Sequence, residues 1–204
     1  VLKVVDQVLA EEQPEIALIM LGTNDISGGR VPPDYAAGLK KIIQKCLDVG
    51  CVPILNTIPP RRGHDAAVDE ANRVVRGLAS DNKIPLADFH AECIRLAPGG
   101  KWDGTVISND GVHPSGGNNQ VYTEENMSKC GYAIRNWVNF LAVREVYFRV
   151  LHPISKGAPK AEAPPRPQPP TKPVAGIKIP ITRDTWFSGV GKEDRKSTRL
   201  NSSH

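Results

Sequence analysis

Six consecutive apolar residues, Ile16-Ala17-Leu18-Ile19-Met20-Leu21, run directly into Gly22-Thr23-Asn24-Asp25, and no other stretch constrains the fold as much. A short apolar run with β-branched members, ended by glycine, predicts a strand buried on both faces in the middle of a parallel sheet. In open α/β sheets the crevice beyond the carboxyl ends of the strands is where ligands bind. Asn24 and Asp25 are therefore expected at a site.

The rest of the chain alternates around that strand. Residues 1–12 place Val1, Val4, Val5, Val8 and Leu9 on one face, which predicts an amphipathic helix ending near Pro14. Asp34 is expected to cap a helix to about Val49, with Leu39, Ile42, Ile43, Cys46 and Leu47 inward and Gly50 closing it. A second buried strand is expected over 51–58, a helix over 66–80, a third strand over 84–89 and a brief helix to Leu96. The segment 97–120 is rich in Gly, Asn, Asp and Pro, and its length suggests function over mere connection. One long helix is expected over 124–150, with Met127, Cys130, Ile134, Trp137, Val138 and Leu141 as its apolar stripe. Such alternation predicts parallel βαβ units. The chain opens on a crossover helix with no strand before it, so strands upstream of Val1 are expected to be missing.

Beyond residue 151 the composition changes. Nine of the 18 prolines fall in 153–180, which reads as an extended Pro-rich linker. The division expected is a domain over 1–151, a disordered Pro-rich linker over 152–180 and an unassigned tail over 181–204. Residues 191–204 are polar and aperiodic, resemble translated sequencing-adapter DNA, and carry no functional reading. The overall charge of +4 is a property of this tail: residues 1–151 hold sixteen Lys and Arg against eighteen Asp and Glu, a net −2. Nucleic acid is accordingly not an expected partner. No apolar run reaches membrane-span length. The opening residues show no export signal, which leaves localisation open, with a periplasmic or secreted protein compatible with the linker. The four cysteines (Cys46, Cys51, Cys93, Cys130) show neither a CxxC pair nor metal spacing and read as small buried hydrophobes.

A second informative stretch is Ser108-Asn109-Asp110-Gly111-Val112-His113-Pro114-Ser115. Asp110 and His113 are three apart, which lets one turn of loop set the carboxylate against one imidazole nitrogen and leave the other outward. That is the orienting acid and the base of a nucleophilic triad. A lone D-x-x-H is weak, since an Asx turn beside an incidental histidine gives the same pattern.

Together, G-T-N-D after a buried strand and D-G-V-H-P before the last helix resemble the SGNH hydrolase superfamily, the GDSL-type esterases and lipases. The resemblance spans residues 1–150. It implies a three-layer α/β/α flavodoxin-like fold with sheet order 2-1-3-4-5, and hydrolysis of acyl or O-acetyl esters of a small molecule or carbohydrate, with no metal or organic cofactor. It further implies Asn24 as an oxyanion-hole donor, with His113 and Asp110 as base and acid. Gly22, Thr23 and Asp25 are assigned to the substrate side of the first motif, Asp25 chiefly as a cap for the turn. The family's G-D-S nucleophile block and its oxyanion glycine are absent, so the chain reads as amino-terminally truncated and inactive by itself. Its first sheet edge is expected to be exposed and prone to aggregation. The competing reading is a flavodoxin-like module that binds a ligand without turning it over. A phosphate-handling protein is disfavoured, because no Gly-rich phosphate loop occurs.

Three further groups are weighed. Arg61, Arg62 and His64 follow a strand's carboxyl end and read as a solvated loop more than as substrate ligands. Trp102 is balanced between core packing and stacking on a sugar ring. Asn118, Asn119 and Gln120 read as helix-entry caps.

Overall fold

A computed structural model describes residues 2–153. The expected linker and tail lie outside them, apart from His152 and Pro153. The order is α1 (Leu2–Glu12), β1 (Ile16–Ile19), a 3-10 turn (Asp25–Gly28), α2 (Tyr35–Asp48), β2 (Val52–Asn56), α3 (Asp65–Asp81), β3 (Leu86–Ala87), α4 (Phe89–Leu96), α5 (Glu124–Met127) and α6 (Gly131–Val146), which runs into a π-helical turn (Tyr147–Leu151). The three strands form one parallel sheet in the order β1-β2-β3.

β2 is central because its side chains are apolar on both faces. Leu55 points to a core shared by α1, α2 and α3, among Leu9, Leu39, Ile43, Val68 and Val75. Its neighbour Ile54 points the other way, to Ala87 and to Ala142 and Val146 of α6. A further core beneath α4 and α6 holds Phe89, Ile107, Met127 and Ile134. The result is the expected α/β/α layering. All four cysteines are buried free thiols.

Several expectations are corrected. β1 is four residues long, shorter than the six-residue apolar run, and lies at the edge of the sheet among the described residues, where an exposed first edge is expected. Its Leu18 is 40% exposed, because α6 packs chiefly over β2 and β3, and on that face of β1 only Ile16 reaches the core beneath it. Leu47 is exposed too, on the flank of the stripe formed by Leu39, Ile42, Ile43 and Cys46. β3 pairs over only two residues, since Asp88 accepts the Ala91 amide and turns the chain into α4 at Phe89. Asp34 precedes α2 without a side-chain capping bond.

The long helix over 124–150 is broken. α5 is capped by Thr123, not by Asn118, Asn119 or Gln120. The chain leaves helical geometry at Cys130 (φ −138°, ψ 94°) and restarts at Gly131. A close approach imposes the break: a Cβ on Gly131 would lie 1.9 Å from the Val106 carbonyl oxygen. α6 must therefore begin against the 97–120 segment. Ser115 completes the junction, its Oγ accepting the Gly131 amide at 3.0 Å and its carbonyl accepting the Tyr132 amide at 3.1 Å. The terminal amides of a helix need such partners.

The carboxyl end of β2 is fixed by fully buried Asn72 of α3. Its Oδ1 accepts the Ile58 amide at 2.8 Å and its Nδ2 donates to the Ile58 carbonyl at 2.9 Å. Asn72→Ala leaves a buried amide and a buried carbonyl unpaired, which costs about 2–4 kcal/mol. Urea unfolding of the two proteins is expected to show that loss; an unchanged midpoint would mean the clasp carries no stability.

Candidate active site

The segment Ser108–His113 organises itself around one carboxylate. Asp110 Oδ1 accepts the Ser108 hydroxyl at 2.7 Å, the Val112 amide at 2.8 Å and the His113 amide at 3.0 Å. Its Oδ2 faces His113 Nδ1 at 2.7 Å. These donors, the Ser108 hydroxyl foremost, then the two amides and the imidazole, hold the Asp110 carboxyl well below the usual carboxylate range. An ionised carboxylate only accepts, so Nδ1 is the donor, and in the neutral ring Nε2 presents a lone pair. The backbone closes the same ring, with the Ser108 amide donating to the His113 carbonyl at 2.8 Å. Both side chains stay open to solvent, His113 at 71% and Asp110 at 50%. The pair is thus ordered by hydrogen bonds and not by burial.

The first motif forms a 3-10 turn just past β1. Gly22 takes φ +123°, and a Cβ there would meet the Tyr35 hydroxyl at 2.6 Å, so glycine is required twice over. Tyr35 in turn donates to the Leu21 carbonyl at 2.8 Å. Burial, helped by the Asp25 charge, pushes the Tyr35 hydroxyl up to about 12, so it stays a donor. The turn closes through the Ile26 amide on the Gly22 carbonyl. Asn24 is exposed and its carboxamide caps nothing; its carbonyl accepts the Ser27 amide and hydroxyl. Asp25 does not serve as the expected cap: it is exposed at the start of the turn and makes no hydrogen bond to a backbone amide among the described residues.

The two motifs are joined by residues that sequence reasoning set aside as solvated. Arg61 donates to the Thr23 carbonyl, beside Asn24, and to the Ser27 hydroxyl at 3.1 Å. Arg62 grips Asp103 with two parallel bonds of 2.7 and 2.6 Å and donates to the Asn109 carbonyl at 3.1 Å. The Arg62 amide also donates to the Gly111 carbonyl at 2.9 Å. His64 adds a contact between Nε2 and the Ser27 carbonyl at 3.2 Å. The only signal in the sequence was position, at the carboxyl end of β2. Gly111 is fixed by the same packing, with φ +74° and a would-be Cβ at 2.7 Å from Arg62 Cβ. Trp102 packs on the core of Phe89 and Ile107. Among the described residues no group of His, Cys, Asp and Glu could hold a metal ion, and no helix is long and apolar enough to cross a membrane.

A model of the GDSL-like lipase/acylhydrolase family matches residues 1–120, which include both motifs. The chain is 30% identical over 109 residues to an esterase, TesA, of Pseudomonas aeruginosa, covering 52% of this chain and 51% of that protein. It is 29% identical over 108 residues to thioesterase 1/protease 1/lysophospholipase L1 of Escherichia coli K12, covering 52% and 49%. The chain thus spans about half the length of the curated relatives it matches. Among solved structures, a GDSL-like lipase from Bacteroides thetaiotaomicron shares the fold, with a TM-score of 0.53, 19% identity, and coverage of 70% of this chain and 69% of that one.

Two measurements check the geometry. A depressed carboxyl stabilises its loop fully above its unfolded pKa of about 3.9, and that contribution is lost as pH falls through the native value. The Val112 and His113 amide signals in ¹H–¹⁵N spectra are therefore expected to hold through that pH and to move only in stronger acid. A midpoint at the ordinary carboxylate value would contradict the bonding at Asp110. The Arg62 side chain is 52% exposed, so Arg62→Ala is expected to leave the global unfolding midpoint nearly unchanged. Amide hydrogen exchange over 109–113 is nevertheless expected to speed up; unchanged exchange there would show that Arg62 braces nothing.

Proposed function

The chain belongs to the GDSL-like lipase/acylhydrolase family, and from that membership we propose that it carries the acid, base and oxyanion-donor parts of a serine-type ester hydrolase. One observation carries this reading: His113 is held by Asp110 through Nδ1, with Nε2 left as an acceptor, on a loop that Arg62 ties to the segment Arg61 ties to Thr23. An incidental histidine in an Asx turn has no reason to be gripped at one nitrogen and left open at the other. This also favours hydrolysis over a module that only binds.

The proposed roles follow from chemistry. His113 Nε2 takes the proton of a serine hydroxyl as the oxygen attacks the acyl carbon, and Asp110 stabilises the imidazolium that forms. The Asn24 carboxamide, free of intramolecular capping, donates to the oxyanion of the tetrahedral intermediate. His113 then gives its proton to the leaving alcohol, and water repeats the sequence on the acyl-enzyme. Gly22, Thr23 and Asp25 are assigned to the substrate side of the Asn24 turn.

The serine is assigned to sequence outside these 204 residues. Ser27 donates to the Asn24 carbonyl, Ser108 to Asp110 and Ser115 to the Lys129 carbonyl, so none of these hydroxyls is turned to the imidazole. The substrate class proposed is an acyl or O-acetyl ester of a small molecule or carbohydrate. The relatives' names extend the candidates to acyl thioesters and lysophospholipids.

The test joins this chain to its natural upstream sequence and follows hydrolysis of a short-chain p-nitrophenyl ester. The joined protein is expected to turn over, and the 204-residue chain alone to stay at background. His113→Ala should cost about 10³-fold or more, and Asn24→Ala about 10²–10³-fold in kcat. Undiminished activity in His113→Ala would remove this residue from the mechanism.

A further inference from the structure

The turn that joins α2 to β2 places two thiols together. Gly50 takes φ +77°. Its amide donates to the Leu47 carbonyl at 3.1 Å, and the Cys51 amide donates to the Cys46 carbonyl at 2.9 Å. This nested pair of bonds is the Schellman helix ending, whose signature side-chain contact joins the two residues linked by the outer bond. Here those two residues are Cys46 and Cys51. The outer bond of this ending brings the two residues it links close enough for their side chains to touch, and a disulfide spans Cα atoms about 4.4–6.8 Å apart. Both side chains belong to one buried core, together with Leu39, Ile43 and Leu55.

We propose that Cys46 and Cys51 are a disulfide-forming pair, able to staple the end of α2 to the start of β2. The helix ending supplies the geometry, so closing the bond asks for little backbone movement. Both residues are at most 2% exposed, and burial pushes the Cys51 thiol up to about 12, so the folded pair reacts slowly. Oxidation belongs to folding or to local opening, when a thiolate forms. One cysteine thiolate attacks a small-molecule disulfide such as oxidised glutathione, giving a mixed disulfide and one glutathione thiolate. The second cysteine thiolate displaces the remaining glutathione. Two electrons leave the pair, and the cysteine protons end on the two thiols released. Cys93 and Cys130 lie in the separate core under α4 and α6 and stay outside this chemistry.

The test uses the full 204-residue chain, equilibrated in one oxidised/reduced glutathione buffer both folded and in concentrated urea, then acid-quenched, alkylated under denaturing conditions and digested with trypsin. Cleavage after Lys45 and Arg61 puts both cysteines in one peptide, 46–61. From the folded chain that peptide is expected unalkylated and lighter by two hydrogen atoms. Its disulfide fraction relative to the thiol form should exceed that in urea by about tenfold or more. Cys46→Ala should leave Cys51 fully alkylated. The oxidised wild type should melt about 5 °C above the reduced protein. A folded-to-urea ratio of one or less overturns the proposal, as does pairing of Cys46 or Cys51 with Cys93 or Cys130.

Discussion

Two adjacent guanidinium groups decide where the candidate site's parts stand. Arg61 and Arg62 are neighbours in sequence, yet one holds the Thr23 carbonyl and the other holds Asp103 and the Asn109 carbonyl. A single peptide unit thereby sets two loops that come from opposite ends of the domain. Among the described residues the Thr23 loop has no strand pairing, and the other loop has only isolated bridges joining Ile107 to Asp103 and to Pro114. Arginine suits the task, because its planar fork gives several donors in fixed relative directions, which a lysine ammonium does not.

The brace is only as firm as what anchors it, and here packing and polar satisfaction work together. Cys51 and Pro53 to Pro60 are buried, so the Arg61–Arg62 pair projects from a stretch of β2 that cannot shift without exposing core. Asn72 clasps Ile58 from both backbone sides at the last point before the two prolines. On the other loop, Val106 and Ile107 are fully buried, and α6 begins directly against them at Gly131. The 97–120 segment is irregular without being loose: buried apolar side chains hold its middle, and its polar tip carries Asp110 and His113.

Much of the fold was legible because its signals are local. The apolar runs of β1 and β2, the stripe of α2 and the Gly50 stop each depend on neighbours within a few residues. What failed depended on the third dimension. An apolar run cannot report that α6 packs chiefly over β2 and β3, so Leu18 read as buried when it is exposed. The stripe Met127, Cys130, Ile134, Trp137 is buried as expected, but the backbone beneath it is broken by the Val106 carbonyl, a contact distant in sequence. The Arg61–Arg62 role was hidden for the same reason: a charged pair in a loop reads as solvated until its partners, some forty residues to either side, are in place.

The same distinction runs through the site itself. Every donor to Asp110 comes from Ser108, Val112 or His113, so the acid–base pair is written into six consecutive residues. Its orientation then survives solvent exposure, because a carboxylate that accepts backbone amides is ordered without being dehydrated. Its relation to Asn24 is another matter, set by contacts between segments that share no local code. A short motif can therefore keep its pattern while losing its use, if the residues that hold it against the other loop are lost. In this chain those residues are Arg61, Arg62 and the glycine at position 111, whose missing side chain is the space Arg62 occupies.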